Sequence, residues 1–213
     1  MLGVGPRVKT IRLASCYRAS VTPPNAERRN QHSRRAILRA TYELALELGP
    51  AKVTVEAIAS RAGVGKQTIY RWWPSKGAVF LDVLEEQVGT VSEMPDTGDV
   101  VADLKTQMTA VAELFNADFA RFYKALIAEA QGDAAVAQGL AEQLAERAEG
   151  PRRDRLSKAQ QQGQIRADID LAAAVEMLYA PLYYRLLVGA AAPDSAQVSA
   201  VLDVALHGLA PSR

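Results

Sequence analysis

A dense run of polar, basic and aromatic side chains lies between Gly65 and Lys76, where the sequence is GKQTIYRWWPSK. Glutamine can form two hydrogen bonds with adenine, lysine or arginine can bond guanine, and threonine can contact the methyl group of thymine. Tyrosine, serine and lysine side chains also bind phosphate oxygens. These residue types suit DNA binding, and the candidate contacts in this run are Lys66, Gln67, Thr68, Tyr70, Arg71, Trp72 and Lys76.

The apolar residues of this run are spaced for one short helix over residues 65–73. At about 100° per residue, Ile69 and Trp73 share one face, which we expect to be buried. Gln67 and Arg71 lie on the opposite face. A helix this short is not stable alone, so neighbouring helices must hold it.

Parts of this run have a second interpretation. Arg71 either contacts a base or is a solvated side chain, and Trp72 either packs against the protein or contacts the DNA backbone. The letters GVGKQT also resemble part of a phosphate-binding P-loop, which requires an earlier glycine and a serine or threonine after the lysine. Ser60 and Gln67 occupy those two positions and no strand precedes them, so we exclude a P-loop.

Three further helices are predicted around this one. Thr54 can cap the helix before it, and Gly63 can end that helix, because glycine adopts a left-handed turn at the least cost. Pro74 and Ser75 interrupt the chain after it and begin a fourth helix. Ser33 can cap a first helix, whose apolar face carries Ile37, Ala40, Leu44 and Leu48. Two helices around a glycine turn, the second with an exposed polar face, are typical of a helix-turn-helix.

Residues 33–80 resemble the N-terminal domain of the TetR family of transcriptional repressors. The family pattern is T-x-x-x-I-A-x-x-A-G-V-S-x-x-T-x-Y-x-x-F-x-x-K. This chain matches it at Thr54, Ile58, Ala59, Ala62, Gly63, Val64, Thr68, Tyr70 and Lys76. It departs from the pattern at Gly65, which replaces the serine cap and its hydroxyl, and at Trp73, which replaces phenylalanine and which we interpret as core.

This resemblance implies an all-α homodimer, in which three DNA-binding helices precede a larger helical domain that binds a small-molecule inducer. It implies that the protein binds a pseudo-palindromic operator on double-stranded DNA and represses transcription until the inducer releases it. A ligand-independent or activating DNA-binding protein of the same fold is the alternative. By the same resemblance, family DNA-contact positions are occupied by Thr54, Lys66, Tyr70, Trp72 and Lys76.

The charges are divided unequally along the chain. Residues 1–80 hold 14 basic and 4 acidic residues, a net charge of +10, whereas residues 81–213 hold 11 and 20, a net charge of −9. Such a division favours a basic part that binds a polyanion, although a solvated basic face is the alternative. We expect a flexible basic arm over residues 1–32, a DNA-binding domain over 33–80 and a ligand-binding and dimerisation domain over 81–213.

The acidic part is predicted to be helical throughout. Helices are expected over 101–115, 118–131 and 133–149, and Pro151 suits the first turn of another. That helix carries four basic residues, which we interpret as a solvated face, with an anion-binding site as the alternative: Arg152, Arg153, Arg155 and Lys158.

The last two helices are expected over 168–190 and 194–210. Pro181 lies inside the first and should kink it, because proline removes one helical hydrogen bond. Both helices are apolar along one side and resemble the pair through which TetR-family proteins dimerise as a four-helix bundle. The sequence therefore predicts a homodimer formed by these helices.

Aromatic and soft side chains are concentrated on the central helices. A largely apolar pocket with a few hydroxyl groups is the usual form of a small-molecule site. Ordinary core packing is the alternative for each residue. The candidate ligand-binding residues are Phe115, Phe119, Phe122, Tyr123, Met177, Tyr183 and Tyr184.

The sequence offers little for catalysis. The only histidines are His32 and His207, neither in a Glu-x-x-His pair, and Cys16 is the only cysteine. We therefore expect no enzyme, no catalytic residue, no cofactor and no metal. We also expect no membrane segment and no signal peptide, and hence a cytoplasmic protein. Val21 resembles a natural start, which suggests the hypothesis that residues 1–20 are absent from the native protein; the intact mass of natively expressed protein would test it.

Overall fold

The computed structural model describes residues 24–115, 117–188 and 192–207, and within these ranges it contains helices and no strands. The predicted all-α class is confirmed. The helices are α1 Pro24–Leu48, α2 Val55–Ala62, α3 Lys66–Tyr70, α4 Lys76–Val88, α5 Val100–Leu114, α6 Ala117–Gly132, α7 Ala134–Gln143, α8 Gly150–Gln161, α9 Leu171–Val188 and α10 Ser195–His207. We call α1–α4 the head and α5–α10 the body.

Helix α1 begins at Pro24, well before the predicted start at Ser33. The prediction of a flexible arm over residues 1–32 is therefore wrong for residues 24–32, while residues 1–23 lie outside the described residues. Ser33 lies inside the helix and does not cap it. Proline suits a first helical position, where its missing N–H would have no partner. The residues after it are polar and show no apolar period, so the pattern of buried positions did not include them.

The head is built on a small apolar core with one polar anchor. The indole Nε1 of Trp73 donates a hydrogen bond to Asp82 Oδ2 of α4 at 2.9 Å. Arg34 of α1 forms an ion pair with the same oxygen at 2.6 Å. One carboxylate thus joins α1, α4 and the chain after α3. The residues buried around it, each at most 3% exposed, include Ile37, Ile58, Ile69, Trp73 and Phe80.

The helix ends predicted for the helix-turn-helix are confirmed. Thr54 Oγ1 accepts a hydrogen bond from the N–H of Ala57 at 3.1 Å and so caps α2. Gly63 ends α2 in the left-handed region, with φ of 65°. Ser75 Oγ accepts from the N–H of Ala78 at 3.2 Å and caps α4.

The body contains a wide turn between α7 and α8. The predicted helix over 133–149 consists of α7 followed by a π turn over Leu144–Glu149. Pro151 lies in the first turn of α8, as predicted, and cannot donate a hydrogen bond to the turn before it. The N–H of Gly150 bonds instead to the carbonyl of Ala145. The chain therefore continues helically past the proline by widening one turn.

Helix α4 belongs to the head but also packs against α7 of the body. A Cβ atom at Gly77 would lie 2.1 Å from Val136 Cγ2, and one at Gly139 would lie 2.5 Å from Leu81 Cδ1. Distances this short are not found for real Cβ atoms, so glycine allows the close approach. The packing of the head on the body depends on these contacts.

Helix α9 is apolar around most of its circumference. Its buried side includes Val175, Leu178, Leu182 and Leu186, and Pro181 lies inside it, where the predicted kink stays a prediction. By length and composition alone, α9 is the one helix of the described ranges that could cross a membrane. The expectation that the chain has no membrane segment stays a prediction. A helix apolar on all sides is also what burial on two faces requires.

Candidate DNA-binding surface and ligand cavity

Helix α3 presents the predicted polar face to solvent. Ile69 is buried beneath it, while Gln67 and Arg71 are exposed and Thr68 is half-buried. Tyr70 and Trp72 are 54% and 40% exposed, so neither aromatic ring is a core residue. An exposed aromatic pair beside polar side chains is unusual on a protein surface and suits a surface that another molecule covers.

The basic side chains of this surface have weak partners within the head. Lys66 Nζ lies 3.0 Å from Glu56 Oε1, and this contact lowers the pKa of Glu56. Arg71 Nη2 donates to Asn30 Oδ1 at 3.2 Å, and its guanidinium lies 5.9 Å from the centre of the Trp72 ring. All of these contacts are exposed, and exposed ion pairs contribute about 0–1 kcal/mol. DNA phosphates can therefore replace them.

Lys76 has a different environment, because it contacts the body. Its Nζ lies 3.0 Å from Glu129 Oε1 of α6, and the two side chains are only 22% and 23% exposed. The predicted phosphate contact is thus engaged by a carboxylate in this conformation. Thr54, the remaining predicted contact, is exposed and caps α2.

A cavity of about 300 Å³ lies where α4 meets the body. Its wall includes Leu84 and Val88 of α4 and residues of the 3-10 turn Gly89–Ser92 that follows. Four of the seven predicted ligand residues line it. They form a chain of ring contacts with centroid distances of 5.1–5.9 Å, in the order Tyr123, Phe119, Phe115 and Tyr183.

The other three predicted ligand residues do not line this cavity. Phe122 is fully buried between Phe80 and Tyr42, with ring distances of 5.8 and 5.4 Å, and is a core residue. Met177 and Tyr184 are 54% and 64% exposed on α9. Met177 lines a second cavity, of about 630 Å³, between α9, α10 and the end of α8, and a ligand-binding role for Met177 and Tyr184 stays a prediction. Because α9 is apolar on several sides, its sequence does not indicate which side faces inward.

The structure adds a residue that the sequence prediction assigned to a solvated face. Arg152 is only 4% exposed and lines the cavity, and Arg155 is also 4% exposed. Arg153 and Lys158 are exposed, as predicted. The spacing held a usable signal, because Arg152 and Arg155 fall on the same helical face as the buried Leu156.

Arg152 contacts a hydrogen-bonded polar group that extends from the cavity wall into the body. Its guanidinium carbon lies 3.6 Å from the centre of the Tyr179 ring. The Tyr179 hydroxyl donates to Gln107, whose Nε2 donates to the carbonyl of Val91 at 3.0 Å. Burial raises the pKa of Tyr179 to about 12, outweighing the nearby arginine. This group connects α8 and α9 to the turn that follows α4.

Two family descriptions match the chain. "Bacterial regulatory proteins, tetR family" matches residues 37–83, which include α2 and α3, and "Tetracyclin repressor-like, C-terminal domain" matches residues 94–205, more than half of the chain. This chain belongs to the TetR family. The resemblance seen in the helix-turn-helix is therefore confirmed and extends through the body.

Relatives of this TetR-family chain are named as regulators. It is 37% identical over 164 residues to the uncharacterized HTH-type transcriptional regulator YdeS of Bacillus subtilis, covering 75% of this chain and 81% of that protein. It is 25% identical over 177 residues to the DNA-binding transcriptional repressor TetR of Mycobacteroides abscessus, covering 83% and 93%. The crystal structure of the TetR family regulator SCO0332 superposes with a TM-score of 0.70 at 37% identity, covering 84% of this chain and all of that one. The chain is thus a DNA-binding transcriptional regulator.

The regulator also has an apolar surface on its last two helices. Large apolar side chains with at least 36% exposure cluster on α9 and α10. The exposed apolar residues are Met177, Tyr184, Leu187, Val188, Val204 and Leu206.

No group of three or more His, Cys, Asp or Glu residues suited to a metal occurs among the described residues.

Proposed function

We propose that this regulator is a homodimeric repressor that binds a pseudo-palindromic operator and is released by a small-molecule inducer. The observation that carries the proposal is the exposed polar face of α3, held in place by the buried Ile69 and Trp73. In this arrangement, Gln67 and Arg71 contact bases in the major groove, and Lys66, Tyr70 and Trp72 contact the backbone. The protein acts where the DNA is, in the bacterial cytoplasm.

Dimerisation places two such helices on one operator. The exposed apolar residues on α9 and α10 support a two-fold interface, because a surface of this kind is rarely left in water. Two copies of α9 and α10 form a four-helix bundle, which buries both faces of α9. The two α3 helices then enter successive major grooves.

Release by an inducer follows from the position of α4. One end of this helix carries Lys76 beside the DNA-binding surface, and the other end forms the cavity wall at Leu84 and Val88. An inducer that favours a different tilt of α4 shifts the population toward heads that no longer fit the operator. Because such coupling is reciprocal, operator DNA weakens inducer binding by the same factor.

A salt titration with two DNAs tests the function. The purified protein is titrated with DNA from upstream of its own gene and with random DNA of equal length. A repressor binds a site in the first at least roughly a thousandfold more tightly and leaves a palindromic footprint. Equal affinity for both DNAs, with equal salt dependence, contradicts a specific operator there.

The alternative is a ligand-independent or activating DNA-binding protein of the same fold. Repressor and activator differ in where the operator lies relative to the promoter, which footprinting beside a transcription start establishes. The cavity beside α4 supports the ligand-dependent form. A small molecule that raises the melting temperature and lowers operator affinity together distinguishes it from the ligand-independent form.

A further inference from the structure

Arg152 is a buried cation at the wall of the cavity. Its side chain is 4% exposed, and its Nε has no hydrogen-bond partner among the described residues. Its guanidinium lies against the face of the Tyr179 ring and also hydrogen-bonds the Tyr179 and Tyr183 hydroxyls, none of which carries a net charge. Burying a charge without an opposite charge is costly, and natural proteins seldom do so.

Arg155 shows what a buried arginine looks like in this protein when its role is structural. It lies one turn further along α8 and is equally buried. Its Nε donates to Asp103 Oδ2 at 2.8 Å, and Asp103 also accepts hydrogen bonds from Thr97. Some guanidinium nitrogens of Arg155 also lack partners, but its charge is balanced by a buried carboxylate. No carboxylate of the described residues forms such a pair with Arg152.

The other polar residues of the cavity do not supply the missing negative charge. Burial raises the pKa of the lining residues Tyr123 and Tyr183, and of Tyr179 behind Arg152, above the ordinary phenol value, so all three remain neutral at physiological pH. Glu85 lies at the exposed edge, where Arg147 neutralises it at 2.8 Å. Glu93 also borders the cavity and is exposed.

The remaining walls suit an apolar molecule. The aromatic chain from Tyr123 to Tyr183 faces the cavity with Val111 and Leu114, and the π turn supplies Leu144 and Ala148. Turns of this kind occur frequently at functional sites. At about 300 Å³ the cavity is at the small end of ligand sites. Its chemistry therefore combines one buried cation with apolar walls.

We propose that the cavity binds a small organic acid, with its carboxylate on Arg152 and its apolar body against the aromatic chain. The bound carboxylate supplies the charge that Asp103 supplies to Arg155, and the neutral hydroxyls of Tyr123 and Tyr183, which line the cavity, can donate further hydrogen bonds to it. This assignment names the chemical class of the inducer proposed above, and it rests on that proposal only for the effect on DNA.

The test compares acids with neutral amides of the same skeleton. Calorimetric titration of the full-length protein uses 4-phenylbutyrate with 4-phenylbutyramide, and octanoate with octanamide. We expect at least one acid to bind roughly tenfold to a hundredfold more tightly than its amide, because charged hydrogen bonds are the stronger ones. Arg152→Met should abolish this preference and leave amide binding unchanged. The matched control is Arg153→Met, an exposed neighbour on the same helix, which should keep the preference.

Two further measurements distinguish the loss of the binding site from a failure of the variant to fold. Without ligand, Arg152→Met should melt no lower than wild type, because it removes an unbalanced buried charge. Arg152→Lys keeps the charge but loses the planar fork, so it should retain a weaker preference for the acid. Equal binding of acid and amide, an acid preference that survives Arg152→Met, or no binding of any probe at millimolar concentration overturns the proposal.

Operator DNA in the same samples separates this proposal from the proposed function. An acid that binds through Arg152 but leaves the operator complex intact supports the site and contradicts inducer release. Release of the operator by a neutral amide, without preference for the acid, contradicts the site and supports inducer release. Release by the acid in wild type, and its loss in Arg152→Met, supports both.

Discussion

Gln67 is the residue whose removal should change specificity without changing general DNA affinity. It is exposed on α3, opposite the buried Ile69. A glutamine that bonds a base contributes roughly 1–3 kcal/mol on the correct site. We expect Gln67→Ala to weaken operator binding by that amount and leave binding to random DNA unchanged, as measured by fluorescence anisotropy. Equal losses on both DNAs would mean that the DNA-reading face is assigned wrongly.

Substitutions of Lys76 and of Glu129 should change the affinity for DNA in opposite directions. Their ion pair at 3.0 Å makes Glu129 a competitor of DNA phosphate for the lysine. Lys76→Ala should weaken binding to every sequence and lower the slope of log affinity against log salt by about one. Glu129→Gln should strengthen binding to operator and random DNA alike. A Glu129→Gln protein with unchanged affinity would show that the carboxylate does not compete.

At the scale of elements, Asp103 makes the junction between α5 and α8 sensitive to acid. Burial raises the pKa of Asp103, but hydrogen bonds from Thr97 and Arg155 outweigh it, and the net pKa lies below the ordinary value. A lowered folded pKa contributes stability above about pH 4 that is lost as the pH falls through the folded pKa.

The variant Asp103→Asn should therefore be destabilised most near neutral pH. The loss should be about 3–5 kcal/mol, because the buried Arg155 loses its buried carboxylate and keeps only that of the exposed Asp96, 3.7 Å from its Nε. The difference from wild type should shrink as the pH is lowered below about 4, as followed by urea unfolding across pH. Arg166→Gln is the control, since Arg166 pairs with Asp168 fully in solvent. A difference that is constant with pH would contradict the assignment.

Helix α4 should tolerate no side chain at Gly77. Its Cβ would lie 2.1 Å from the β-branched Val136 of α7, which has little room to move. We expect Gly77→Ala to lower the free energy of unfolding by about 1–3 kcal/mol, as overpacked sites do. Gly132→Ala is the control, because nothing lies within 4 Å of a Cβ there. Rescue of Gly77→Ala by Val136→Ala would establish the contact as the cause.

The sequence predicted those elements whose ends carry local signals. Thr54, Gly63 and Ser75 cap or end helices through their own side chains or backbone freedom, and they do so in the structure. The start of α1 at Pro24 was missed because its polar residues carry no apolar period. The burial of Arg152 was missed because a charge is expected in solvent, and only the tertiary fold brings a cavity to it. The side of α9 that faces the body could not be predicted, because both sides of this helix are apolar.

At the scale of the whole molecule, α9 and α10 carry an apolar surface that a single chain leaves uncovered. Leu187 and Val204 are 41% and 48% exposed within it. The same helix α9 packs its other side into the body, where Leu182 is fully buried. Helices of this kind are stable in water when a second copy covers the exposed side. In the proposed homodimer, one operator complex would therefore contain two DNA-binding heads and two cavities.

A charge in this surface should separate the two copies without unfolding either. Leu187→Glu leaves the buried side of α9 intact but adds a carboxylate to the proposed interface, where an unpaired charge is costly. We expect a monomer in sedimentation at concentrations where wild type is a dimer, with native helicity. Operator affinity should fall to that of random DNA, because one head contacts only half a site. Leu48→Glu, at a similarly exposed position (44%) on α1, should leave the dimer intact. A Leu187→Glu protein that remains a dimer would place the interface elsewhere.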